Sequence, residues 1–339
     1  MQLLQWFGRT IAPHALRIER RSPPRWLTVL AYHRVAPRPP GDYPFDREVL
    51  DCDPARFDEH MEMVARHCTP IGLDHLLAFL DGEPLPPNPV LVTFDDGYRD
   101  NRDHALPILV RHKVPAVFFV ATSYVAERRV FWWDRVAYLF HHAQVAAGRL
   151  SYPTEIVLRP GGDGGRAHRM VLRLLKTCPE IDLERFLDEL GRALRVPWDY
   201  ELEQQLADDL VMTWADLREL SDAGMEIGSH TRTHRVLHTV PLAELPVELR
   251  QSRAEIERAV RRPVRAISYP VGRTLRTLPS LGRAVRDAGY RVGFSTESRA
   301  NPTAAVLDPL DLARVTVDTC MTRDQLTALL AAPELCRAW

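Results

Sequence analysis

The sequence predicts an α/β protein built from parallel β/α units, interrupted by one largely helical insertion. Three observations predict it. Short continuous apolar runs, such as PVLVTF (89–94) and AVFFVAT (116–122), read as strands buried on both faces. Segments with helical spacing of apolar residues separate these runs, and strands alternating with helices pair in parallel. The alternation stops near residue 127 and resumes near 212. Right-handed crossovers allow two outcomes, a closed barrel or an open stacked sheet.

Element by element, residues 1–26 are expected as an N-terminal helical extension, because Leu3, Leu4, Phe7 and Ile11 fall at helical spacing. The extension carries five Arg and one Glu. It reads either as a helix packed on its own domain or as one lying on a membrane surface. LTVLA (27–31) is a short buried strand, and residues 37–44 form a loop. Helical patterns cover about 54–67 and 73–80, and the Pro-rich DGEPLPPNP (81–89) breaks the chain before PVLVTF. ALPILVRHK (105–113) is a helix leading to AVFFVAT. Past the insertion come helix MTWADLRELSDAG (212–224), strand MEIGSH (225–230), helix LRQSRAEIERAV (249–260) and strand AISYP (266–270). Helix LGRAVRDAG (281–289) and strand YRVGFST (290–296) follow.

The insertion, about 127–212, contains Trp132, Trp133, the glycine loop GGDGG (161–165) and two expected helices. The tryptophans read first as filling the insertion's own core, and second as a stacking platform for sugar rings. GDGGRA (162–167) matches a dinucleotide-binding fingerprint, but no acidic residue ends a second strand about 20 residues on, so a flexible loop is the better reading.

Composition narrows the function. The chain has 339 residues, 45% hydrophobic and 26% charged, which excludes wholesale disorder and fibrous folds. A net charge of −1 argues against nucleic acid as a partner. Forty-two of the 44 basic residues are Arg; the two lysines are Lys113 and Lys176. Five cysteines with no C-x-x-C pair point to free thiols in a reducing compartment. No apolar run is long enough to span a bilayer, and the N-terminus lacks the pattern of a signal peptide. Cytoplasmic residence is therefore expected, with peripheral membrane contact through 1–26 as an added reading. Oligomeric state has no signature in the sequence.

Two motifs carry chemistry. VTFDDGY places Asp95 and Asp96 at the C-terminal end of a strand, the end where active sites of β/α folds lie. Adjacent carboxylates repel unless a metal or shared proton relieves them, so one can ligate a metal while the other handles a proton. GSHTRTH places His230 and His234 four residues apart after another strand. Two imidazoles and one carboxylate leave a coordination position open for water. His238, one further step along, reads as a helix-face or capping residue.

At these residues the chain resembles the polysaccharide deacetylases, the NodB-homology group also called carbohydrate esterase family 4. TFDDG (93–97), SHTRTH (229–234), the FFVAT strand, the GMEIGSH lead-in and YPVG (269–272) carry the likeness. It covers about 27–125 and 213–318. The resemblance implies an irregular (β/α)7 barrel over 27–339 with the insertion set into it. It implies removal of acetyl from N-acetylated sugars in a polysaccharide or glycan precursor, releasing acetate. By position, Asp95 is the general base, and Asp96, His230 and His234 bind a divalent metal, zinc above all, with cobalt, nickel or iron as alternatives.

Two departures stand out. Where members often carry an Arg two residues before the Pro of the YPVG-like motif, this chain has Ser268. Where many carry a Leu-x-His at the last strand, it reads LARVTVD (312–318). The first strand, VLAYHRV, ends in His33, and some exopolysaccharide deacetylases use such an N-terminal histidine; His33 is then the candidate acid. Arg314 is the candidate replacement for the missing arginine. No G-x-S-x-G elbow supports a serine hydrolase. Open alternatives are an amide hydrolase acting on a non-sugar or formylated substrate and a sugar-binding module with a decayed site.

Overall fold

Seven short parallel strands close on one another in the computed structural model, which describes residues 9–12, 24–161, 165–297 and 299–332. They are β1 (Trp26–Tyr32), β2 (Pro89–Phe94), β3 (Ala116–Val120), β4 (Glu226–Ser229), β5 (Ala266–Ser268), β6 (Val292–Phe294) and β7 (Val315–Thr316). The ladder runs β6-β5-β4-β3-β2-β1, and β7 pairs with β1 at Leu30 and Ala31. Leu312, three residues before β7, bridges Phe294 of β6, so the segment 312–316 spans the gap between β6 and β1. The sheet therefore curls into an irregular (β/α)7 barrel, and the open sheet is excluded. The closing segment is the irregular part: β7 has two residues, and Asn301–Pro302 adds an antiparallel pairing at the foot of β1.

Strand parity decides what each residue can do. One apolar cluster joins Leu27 and Val29, Leu91, Val117 and Phe119, Ala266, Val292 and Phe294, and Leu312. These alternate positions face the barrel axis, and the helix Leu73–Leu80 plugs the cluster with Leu73, Leu76 and Leu77. Intervening residues such as Leu30, Val92, Phe94, Phe118 and Ile267 face outward to the surrounding helices. Continuing the inward parity upward from Leu91, Ala266 and Leu312 reaches Asp95, Ser268 and Arg314. The polar interior of the site thus follows from register.

Several helices start where the sequence offers caps. Asp53 accepts a hydrogen bond from the Arg56 N–H ahead of Pro54–His67, and Thr213 with Asp216 forms a capping box before Trp214–Asp222. No helix among the described residues is long and apolar enough to cross a membrane.

The insertion holds more structure than its sequence suggests. Instead of two helices its described residues carry four, Trp132–His141, Arg166–Thr177, Leu183–Leu194 and Tyr200–Leu210, plus a hairpin of Gly148–Leu150 with Ile156–Leu158. Asp182 and Asp199 cap two of them, a signal hidden in a region that lacks the strand–helix rhythm. Gly162, Asp163 and Gly164 of the glycine loop lie outside the described residues. Of the N-terminal extension, residues 1–8 and 13–23 also lie outside them; Ala12 is buried and Ile11 is exposed. The described cysteines Cys52, Cys68, Cys178 and Cys320 form no disulfide with one another.

Candidate active site

The carboxylates emerge where β2 ends. Asp95 continues the strand, its N–H donating to Tyr32 O at 2.8 Å. Asp96 then turns with a left-handed φ of 74°, and Gly97 follows at 102°, where a Cβ would lie 3.1 Å from Val120 Cγ1. That turn sends the two side chains to different partners. His230 leaves β4 with its N–H on Val120 O, and His234 follows a tight loop in which Thr231 and His234 both have positive φ. Left-handed backbone at non-glycine residues costs of order 1–3 kcal/mol each and concentrates at functional sites.

The loops bring Asp96, His230 and His234 together, all buried, with one ligand atom from each lying within 4.8 Å of the others. Asp96 Oδ1 is 3.4 Å from His230 Nε2 and 3.2 Å from His234 Nε2. It is fully buried and has no hydrogen-bond partner. His230 Nδ1 sits 2.9 Å from the Ser268 carbonyl, which requires the proton on Nδ1 and leaves Nε2 facing Asp96. An orphaned carboxylate oxygen facing two imidazole nitrogens suits a divalent cation with N/O ligands. The imidazoles hold the Asp96 carboxyl far below the usual range against the burial that opposes it. His238 lies in the single turn Leu237–Thr239, half-buried and outside this cluster.

Asp95 faces the same space from the barrel axis, its Oδ2 3.9 Å from His230 Nε2. Arg314, fully buried, grips it with two bonds, NH1 to Oδ1 at 2.8 Å and NH2 to Oδ2 at 2.6 Å. Arg314 NH2 also donates to Ser268 Oγ at 2.8 Å, and that hydroxyl donates to Asp95 Oδ2 at 3.1 Å. Burial alone would raise the Asp95 carboxyl; Arg314, then His230, outweigh it and hold it down at about 2. Thus the short residue at 268 leaves the space that an arginine from the closing segment fills.

His33, just past β1, lines the same cavity, which holds about 260 Å³ between Asp95, Asp96, His230 and His234. Its Nδ1 is 3.4 Å from Asp51 Oδ2. Burial disfavours the imidazolium, but Asp51 foremost, then Asp96 and Asp95, raise it to about 9. Sequence reasoning missed Asp51: its strand Leu50–Cys52 is three residues long and pairs with Arg34–Val35.

Trp132 and Trp133 are buried in the core, as the first reading has it, and they line the cavity too. They are buried, so they offer no open platform, and they pack on the loop that carries His234 as well as on the insertion. The Trp133 ring lies 4.3 Å from that of His234. Its Nε1–H donates to Tyr98 Oη at 2.6 Å, and Tyr98 donates to Asp134 Oδ2 at 2.7 Å. Asp46 and Lys176 line it as well, and neither has a role in the site as read from the sequence.

A family model described as polysaccharide deacetylase matches residues 82–157 and 191–293, more than half of the chain. The chain belongs to the polysaccharide deacetylase family and is a hydrolase acting on the amide bonds of acetylated sugars. Its fold is similar to that of the Streptococcus pyogenes deacetylase PplD in complex with acetate: TM-score 0.59, 16% identity, covering 89% of this chain and 97% of that one. IcaB from Ammonifex degensii gives 0.56 at 19% identity, covering 91% and 98%. The BpsB deacetylase domain from Bordetella bronchiseptica gives 0.52 at 21%, covering 87% and 97%. A sequence search of curated proteins gives no match.

Proposed function

We propose that this chain removes the N-acetyl group from an N-acetylated amino sugar of an exopolysaccharide or its glycan precursor, releasing acetate, with a divalent cation held by Asp96, His230 and His234. The observation that supports this best is the orphaned Asp96 Oδ1 between two Nε2 atoms, beside a separately anchored Asp95. A cation held there would supply Lewis acidity toward the acetyl carbonyl and an acidified water, the chemistry a resonance-stabilised amide requires; zinc suits the donor set, and cobalt, nickel and iron are compatible with it.

Asp95 takes the proton of the attacking water as oxygen adds to the carbonyl carbon. Its pKa makes it a weak base that is ionised throughout the working range, so its contribution is position. Arg314 and Ser268 supply that position by occupying one side of each oxygen. As the carbon–nitrogen bond breaks, His33 gives its proton to the departing nitrogen, and Asp51 keeps that proton available near neutrality. The intact grip of Arg314 on Asp95 speaks against a decayed binding module, because the lost arginine at 268 is replaced in space.

The test is acetate release from a panel of N-acetylated saccharides, with and without chelator. Release abolished by chelator and restored by zinc is expected. Release from a formamide or imide, with none from any saccharide, would overturn the sugar assignment; release indifferent to chelator would overturn the metal.

A further inference from the structure

A second cavity, of about 430 Å³, adjoins the catalytic one. Val49 lines the catalytic cavity and Leu50 this one; Thr316 lines the first and Thr319 the second. The short ribbon of Arg34–Val35 and Leu50–Cys52 therefore lies between them.

Three arginines line it, Arg38, Arg47 and Arg56. Arg56 NH1 donates to the Thr319 carbonyl at 2.7 Å, and Arg47 NH2 donates to the Pro40 carbonyl. These neutral acceptors orient each fork while using one of its five N–H donors. Among the described residues, no carboxylate comes within 4 Å of any of the three. Elsewhere the contrast is clear: Arg34, Arg129, Arg135 and Arg314 all pair with acids. The cavity's one carboxylate, Asp53, is engaged as N-cap of the helix Pro54–His67, whose positive dipole end adds to the same field.

Three arginines without a carboxylate partner, one of them half-buried, give this concavity a positive field that a polyvalent anion complements. Planar forks suit tetrahedral oxyanions with several acceptor oxygens. We propose that this cavity binds a phosphate or diphosphate group, borne either by the glycan substrate or its carrier, or by a membrane phospholipid. The first source rests on the deacetylase reading; the site itself does not.

The experiment uses the full chain in two arms. Inorganic phosphate is titrated calorimetrically, and co-sedimentation is measured on phosphatidylcholine vesicles with and without phosphatidylglycerol. Both are repeated with the double substitution Arg38→Gln, Arg47→Gln, whose side chains are exposed and outside the catalytic machinery. Phosphate binding that weakens at least tenfold in the double variant supports the site for a soluble phosphate ligand. Selective binding to the anionic vesicles, lost in the variant, supports it for a headgroup. No binding in either arm, or binding that the substitutions leave unchanged, overturns it. Acetate release from a neutral N-acetylglucosamine oligomer, measured in parallel, tests the deacetylase reading separately and is expected to be equal in the two proteins.

Discussion

The mouth of the barrel and the inserted segment make different contributions to one cavity. The mouth supplies groups whose position is dictated by strand parity and tight turns: Asp95, Asp96, His230 and Arg314. The insertion supplies Trp132, Trp133 and Lys176, whose placement depends on how four helices dock. The first region is specified locally and the second by tertiary packing, so changes at the mouth should abolish chemistry while changes in the insertion should modulate it.

The sharpest way to break that division is Asp95→Asn. Losing a positioned general base costs about 10²–10⁴ in rate. The expected outcome is turnover lowered by that factor with bound metal unchanged, read by activity and metal analysis of the same sample. His234→Ala should instead lose both. Metal lost in Asp95→Asn would make Asp95 a ligand and erase the distinction between the two aspartates.

Arg314→Met comes next. It leaves a buried carboxylate without its cation, and breaking a buried pair in this way costs about 3–5 kcal/mol. Chemical denaturation of variant and wild type measures it. The pair also carries a pH signature. Because the folded pKa of Asp95 lies below its unfolded value, its stabilisation is present above about pH 4 and is lost as pH falls toward about 2. The acid limb of wild-type stability should flatten in the variant.

These two residues also show how much could be read in advance. TFDDG and GSHTRTH display the site openly, because a strand end followed by a tight turn fixes geometry within a few residues. Parity counted from Leu312 sends Arg314 inward, yet that count needs the closing strand, and a two-residue β7 leaves little trace in sequence. Asp51 and Asp46 had no such signal. Their segment is a loop and a three-residue strand, held by contacts to His33 and Asp134 from distant parts of the chain.

Asp51→Asn is the intermediate case. Asp51 is the main group raising His33, so its removal lowers the imidazole pKa. An acid must hold its proton to act, so activity is lost as pH rises through that pKa. The alkaline limb of the rate profile, expected near pH 9 in wild type, should move to lower pH, while the acid limb stays put. A limb that does not move would free His33 from the role of proton donor.

The smallest effect belongs to the contact between the mouth and the insertion. Tyr98→Phe deletes the hydroxyl that accepts from Trp133 Nε1 and donates to Asp134. Asp134 retains the Asp46 N–H at 2.8 Å, so the connection from the 43–52 loop survives on one side. Burial already raises Asp134 to about 7, so near neutrality it can take up a proton instead of bearing an unpaired charge. The indole N–H has no such escape, and a buried donor left unsatisfied costs about 1–3 kcal/mol. The variant should lose about that much stability and less than tenfold in turnover, since Trp133 still packs against His234. A loss in turnover as large as that of Asp95→Asn would mean that the insertion sets the chemistry, and the division between the two regions would fall.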